Sequence, residues 1–234
     1  MWSYYGAKTN IVDHYPPPKF DKIIEPFAGS ARYALKYFDR DVLLVDKYDV
    51  IIKIWKWLQQ CSPNDILGLP NLKYGDKVDS VNYDCIEARY LMGFLCGFST
   101  SSPRKSVTIK LKQRPNFINF TKKKIAANLF KIKHWKVRRT SYEKIVNQEA
   151  TWFIDPPYKK GGDHYPCGSQ DLSFDHLAKW ARSRTGQAIV CECGAANWMD
   201  FKLMKSQRTN SGMQHELLWS NLPTAFDNEQ LKLL

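Results

Sequence analysis

Apolar residues along the chain fall into two recurring patterns. Short unbroken runs, too brief for a helix and rich in β-branched or aromatic types, predict buried strands. They lie at Lys22–Glu25 (K-I-I-E), Val42–Val45 (V-L-L-V), Thr151–Ile154 (T-W-F-I), Ala188–Glu192 and Glu216–Asn221. Between them, apolar residues recur at helical spacing. Tyr48–Gln60 carries Val50, Ile51, Ile54, Trp55 and Leu58 on one face, and Tyr83–Gly97 carries Ile86, Tyr90, Leu91, Phe94 and Leu95. Thr121–Lys133 reads as a basic amphipathic helix with Ile125, Leu129, Phe130 and Ile132 inward. Shorter helices are predicted at Ile11–Tyr15, Ala31–Phe38, Tyr142–Gln148, around Phe174, Leu177 and Trp180, and at Trp198–Met204, with an edge strand at Val137–Thr140. Cys61–Ser80, punctuated by Pro63, Gly68, Pro70 and Gly75, predicts a connector, and the tail after Asn221 a peripheral end.

Strands alternating with helices predict an α/β fold, a Rossmann-like doubly wound sheet. The sheet domain is expected to comprise 1–60 and 139–234. A mainly helical insert, 61–138, interrupts it. At 234 residues and 44% hydrophobic content, the chain suits one domain with one sizeable insertion.

Charge sharpens the picture of the insert. The net charge is +12, and between Ser101 and Lys144 fourteen basic residues face a single acid, Glu143. The rest of the chain is therefore close to neutral. A solvated surface normally mixes both signs, so this concentration predicts a polyanionic partner. Arg104, Lys105, Lys112, Lys122, Lys123 and Lys124 are candidates for phosphate contact. Arg114, Asn116 and Asn119, with Arg104, carry the side-chain types that read base edges. The plain alternative is a basic face that meets only solvent.

The six cysteines form no C-x-x-C pair, and Cys191-x-Cys193 reads as a strand feature rather than a metal site. No apolar run reaches membrane-spanning length, and a secretory signal is not evident. These readings predict a reduced, cytoplasmic setting without zinc and no membrane partner.

The densest chemistry follows the Thr151–Ile154 strand, where the chain reads Asp155-Pro156-Pro157-Tyr158. Two prolines remove two backbone donors and fix two φ angles, so the sheet stops at a stiff turn. That turn presents a carboxylate, outward carbonyls and an aromatic ring at the carboxyl end of a central strand, where open α/β sheets bind ligands. An exocyclic amine on a nucleobase is a poor nucleophile, because its lone pair is delocalised into the ring. The Asp155 carboxylate and the Pro156 carbonyl can each accept one of its N–H groups, aiming the lone pair at an electrophile. Tyr158 can stack on the base. Without such a role, the segment is simply a proline turn closing a strand. His164, in the glycine-rich loop after Tyr158, is read as a loop contact rather than a catalytic base; the loop itself can fold over a bound base.

Two other segments suit a nucleotide-like cofactor. Glu25-Pro26-Phe27-Ala28-Gly29-Ser30 is a strand end and small-residue turn leading into a helix. Gly29 permits a tight turn close to a ligand, and the turn's N–H groups can meet polar groups of the cofactor. Asp46 ends the second strand, where an acid can accept both hydroxyls of a ribose, or can instead cap the helix that follows.

Asp-Pro-Pro-Tyr after an apolar strand resembles the catalytic motif of the amino-group DNA methyltransferases, in the aspartate form typical of adenine-N6 enzymes. Glu25–Ser30 resembles their cofactor motif. Tyr4-x-Gly6-x-Lys8 resembles the N-terminal motif of the Dam-like (alpha-group) members, which usually carry a tryptophan and two glycines here. The order of cofactor strand, recognition insert and catalytic strand is also that of the group. The resemblance covers Tyr4 to Asp46 and Thr151 to Asn221, and is thin in the insert. It implies S-adenosyl-L-methionine as cofactor, held by Tyr4, Gly6, Lys8, Glu25–Ser30, Asp46 and Asp155, with Lys8 a partner for the methionine carboxylate. It implies site-specific methylation of a flipped-out adenine in double-stranded DNA, in a bacterial or phage-infected cell. Another exocyclic amine, on an RNA base or at cytosine N4, and a non-catalytic DNA-binding relative remain the alternatives.

Overall fold

In the computed structural model, which describes residues 1–194, 196–209 and 212–224, the chain is an α/β protein built on one seven-stranded, mostly parallel mixed sheet. The strands are β1 (Lys22–Glu25), β2 (Asp41–Asp46), β3 (Lys136–Arg139), β4 (Ala150–Ile154), β5 (Gly186–Cys193), β6 (Lys202–Thr209) and β7 (Gly212–Ser220). Their order across the sheet is β3-β2-β1-β4-β5-β7-β6. The first five run parallel, and β7 enters antiparallel between β5 and β6. The connections reverse direction between β1 and β4, so a crevice opens beyond the carboxyl ends of those two strands.

Burial follows from composition. β4 is buried at all five positions and β1 at three of four, as expected of strands covered on both faces. One face of the sheet is covered by α2 (Asp49–Gln60), which buries Ile51, Ile52, Ile54, Trp55 and Leu58. The other carries α6 (Phe174–Arg182), whose Leu177, Trp180 and Ala181 pack with Trp152, Ala188 and Val190. A short helix, α1 (Arg32–Lys36), follows β1.

The segment 61–135 is helical, with α3 (Pro63–Leu67), α4 (Ile86–Leu95) and α5 (Phe117–Ala126). Leu91, Phe94, Val107, Ile118 and Ile125 join the same apolar core as Trp55 and Val42. The expected connector Cys61–Ser80 thus contains a helix. Ser62 and Asp65 close a reciprocal capping box around Pro63 at its first position.

Other boundaries also differ from the sequence reading. α5 starts at Phe117 and ends at Ala126, and a separate 3-10 turn, Leu129–Ile132, replaces its expected last turns. Phe130, expected inward, is exposed, and so is Ile86. The helices predicted at Ile11–Tyr15 and Tyr142–Gln148 are single 3-10 turns, Val12–His14 and Tyr142–Lys144. Trp198–Met204 is not a helix: the chain turns there and enters β6, which pairs with β7. Most of the tail expected to be peripheral lies outside the described residues. No helix among the described residues is long and apolar enough to cross a membrane.

Candidate functional site

Two cavities open at the carboxyl ends of β1, β2 and β4, and they share a wall. The first is lined by Tyr4, Gly6, Lys8, Glu25, Pro26, Phe27, Ala28, Gly29, Ser30, Asp46 and Asp155, together with Tyr48, Tyr142, Pro157 and Leu172. Every residue expected to hold the cofactor lines it. The second is lined by Asp155, Tyr158, Lys160, Cys193, Met213, Gln214, His215 and Glu216, with Ser99 from the insert. Tyr5, Gly6, Ala7, Lys8, Asp155 and Tyr165 line both. Pro156 is buried behind the corner it helps to form.

The turn after β1 is pinned from three sides. Ala28 N–H donates to the Val45 carbonyl (2.9 Å), Gly29 N–H donates to Asp46 Oδ2 (3.0 Å), and Trp55 Nε1–H donates to the Gly29 carbonyl (2.9 Å). Gly29 adopts φ 45°, and a Cβ there would press on the Tyr4 ring at 3.1 Å. Ala31 also holds a left-handed φ, 46°, at real cost for a residue with a Cβ. Gly6, at φ 70°, leaves no room for a Cβ, which would sit 2.4 Å from the Tyr165 hydroxyl. That hydroxyl donates to the Tyr5 carbonyl (3.0 Å) and ties the loop after Tyr158 to the N-terminal segment. Ser101 Oγ, donating to the His164 carbonyl (2.6 Å), ties the same loop to the insert.

Asp46 lies where both roles considered for it would need it, although Tyr48 is the N-cap of α2 and no side chain caps that helix. Its Oδ1 accepts from Tyr48 N–H (2.8 Å) at the start of α2, and its carboxylate also lines the first cavity. Burial pushes its pKa up to about 6, against the pull of the Gly29 and Tyr48 N–H groups. Glu25, whose Oε1 accepts from Ala34 N–H (2.6 Å), is pushed by burial up to about 8, with Asp155 adding to the rise. It therefore keeps its proton at neutral pH.

The corner after β4 holds more than its motif. Lys8 Nζ lies 3.1 Å from Asp155 Oδ1 and 3.3 Å from Glu216 Oε1, and it contacts the Tyr158 hydroxyl. Lys8, expected as a partner for a cofactor carboxylate, lines the first cavity while its ammonium bridges two acids of the protein. Tyr158 donates its hydroxyl to Glu216 Oε1 (2.7 Å), and Tyr15 donates to the same atom (2.5 Å). Burial lifts Asp155 to about 6, Lys8 opposes the rise and Glu216 adds to it. Burial works to lower the Lys8 pKa, but the two carboxylates outweigh it and the ammonium is held firmly charged. Glu216 was read from sequence only as part of a late strand; an acid directly before the apolar Leu217-Leu218-Trp219 on β7 was the available signal.

The basic residues divide by position. Arg104 and Lys105 line a shallow cleft with Tyr5 and Ser99, beside the mouth of the second cavity. Lys112, Arg114, Asn116 and Asn119 share a separate groove with Asn71, Lys73 and Tyr74. Lys123 and Lys124 are exposed on α5. Lys122 is not: it is 1% exposed, and its Nζ donates to the Leu67 and Leu69 carbonyls that α3 and its exit leave open. Its place as a phosphate contact is therefore corrected to a structural one.

In comparisons with known proteins, no family model and no curated protein matches this chain.

Proposed function

We propose that this protein transfers a methyl group from S-adenosyl-L-methionine to adenine N6 in double-stranded DNA. The observation that carries the reading is the shared wall. Two cavities meet at Asp155, so a donor in one and an acceptor in the other would face each other across its carboxylate.

The first cavity suits the cofactor. Asp46 would accept from the ribose hydroxyls, Phe27 and Leu172 would cover the purine, and Glu25 offers a further acceptor. When bound, the cofactor supplies a methyl group on a positively charged sulfur. In the second cavity, Asp155 would accept an N–H of the adenine amine, turning its lone pair toward that methyl carbon. As the nitrogen takes up the methyl carbon it would lose a proton, which the Asp155 carboxylate beside it could accept and pass to solvent through the open cavity. Tyr158, held by its hydroxyl, offers its ring to the base. The duplex must release the target base to reach this depth, which suits a basic insert beside the mouth.

Incubation with methyl-labelled S-adenosyl-L-methionine and either DNA or RNA, followed by nucleoside analysis, tests the reading. Label in N6-methyl-2′-deoxyadenosine from DNA is expected. Label confined to RNA or to cytosine, or no transfer at all, would overturn it.

A further inference from the structure

Glu216 is a second carboxylate at the catalytic corner, brought there by the last described strand. It is 8% exposed. Its Oε1 alone accepts from Tyr15 and Tyr158 and faces Lys8. Asp155 also pairs with Lys8, so one nearly buried cation faces two acids, and Asp155 stays open to both cavities. Neutralising Asp155 would need only one pairing, and a buried surplus charge is costly to a fold. The cost makes sense where positive charge must arrive. On the methyl-transfer reading, on which this inference rests, that place is the acceptor nitrogen as its lone pair takes the methyl carbon.

We propose that Glu216 is a positioning residue for the transfer: it holds Lys8 and the Tyr158 hydroxyl so that Asp155 faces the acceptor, and it leaves the corner one negative charge to meet the charge arriving on nitrogen. Preorganised charge in a water-excluded site is the strongest means a protein has of favouring such a transition state. The groups that face Asp155 are Lys8 and Tyr15 from the N-terminal segment, Glu25 from β1, Tyr158 and Tyr165 from the corner and its loop, and Cys191 from β5 besides Glu216. Among these, Glu216 is the carboxylate bound to the same ammonium.

Glu216→Gln keeps an acceptor oxygen for both tyrosines and removes only the charge. It leaves a neutral Lys8–Asp155 pair, so the variant is expected to fold, which its melting temperature checks. Two readouts follow: the Asp155 carboxyl titration by carbon NMR in the free protein, and kcat and KM for DNA across pH. The Asp155 midpoint is expected to move down, and the acid limb of kcat to move with it. At its plateau kcat is expected to fall about 10- to 100-fold with KM little changed. Tyr15→Phe, which loses a hydroxyl but no charge, is expected to leave the midpoint in place. An unmoved or raised Asp155 midpoint in Glu216→Gln, or a kcat within twofold of wild type, would overturn the proposal. So would Tyr15→Phe reproducing the effects of Glu216→Gln. Absence of transfer by the wild-type protein would instead strike the methyl-transfer reading, and the NMR titration would still decide whether Glu216 governs Asp155.

Discussion

The Lys8 ammonium lies 3.1 Å from the Asp155 carboxylate, so the eighth residue of the chain and the end of its central strand form one buried ion pair. Lys8→Met would leave Asp155 and Glu216 facing each other without a cation. Breaking a buried pair on one side costs about 3–5 kcal/mol. Denaturant unfolding of Lys8→Met near pH 8 is expected to show a loss of that order. The loss should shrink below about pH 6, where Asp155 takes up a proton instead. A loss that is equal at both pH values would show that the pair is not coupled as described.

Glu25 gives a second handle on pH. In the folded protein its carboxyl keeps its proton to about pH 8, against 4.5 for the free side chain. The folded state therefore holds an extra proton between those values. Its contribution to stability is complete below about pH 4.5 and is lost as pH rises through about 8. Asp46 and Asp155 act in the same direction with folded values of about 6. Melting temperature is expected to fall from pH 5 to pH 8.5, and Glu25→Gln to flatten the upper half of that fall. An equally steep fall in the variant would remove Glu25 from the account.

Ala31 stores strain beside the Glu25–Ser30 turn. Its φ of 46° costs an L-residue about 1–2 kcal/mol, partly offset in a glycine variant by greater freedom of the unfolded chain. Ala31→Gly is expected to raise stability by up to about 1 kcal/mol in denaturant titration. A clear net loss would mean that the methyl group contributes more by packing than it costs in conformation.

The lysines of α5 should separate by exposure. Lys123→Ala and Lys124→Ala are expected to weaken DNA binding across sequences and each to lower the salt slope by about one. Lys122→Met should leave the salt slope unchanged and lower the melting temperature, because it strips the Leu67 and Leu69 carbonyls of the donor that reaches them. A lowered slope in Lys122→Met would place its ammonium on the nucleic acid after all.

What could be read from sequence was local. The runs at Lys22–Glu25, Val42–Asp46 and Thr151–Ile154 announce buried strands by their residues, and the turns that follow announce cavity walls. The α3 helix was legible too, since Ser62-Pro63-Asn64-Asp65 carries a capping signature, but the prolines and glycines around it suggested only a connector. β6 was harder. Lys202–Thr209 is an edge strand with a mixed polar pattern, and it becomes a strand by pairing with β7. Lys122 and Glu216 show the same limit for side chains. Nothing beside Lys122 in sequence announces the carbonyls 55 and 53 positions away that bury it. Glu216 acquires its meaning only through Lys8, Tyr15 and Tyr158.

The central claim is that Asp155 directs methyl transfer to an adenine amine. Modification-sensitive sequencing of DNA from cells expressing the wild-type chain or Asp155→Ala measures it most directly. N6-methyladenine at a recurrent site is expected with the wild type and none above background with the variant, the purified variant still binding DNA. Methylation undiminished in Asp155→Ala, or no methylated adenine with a folded wild-type protein, would contradict the account.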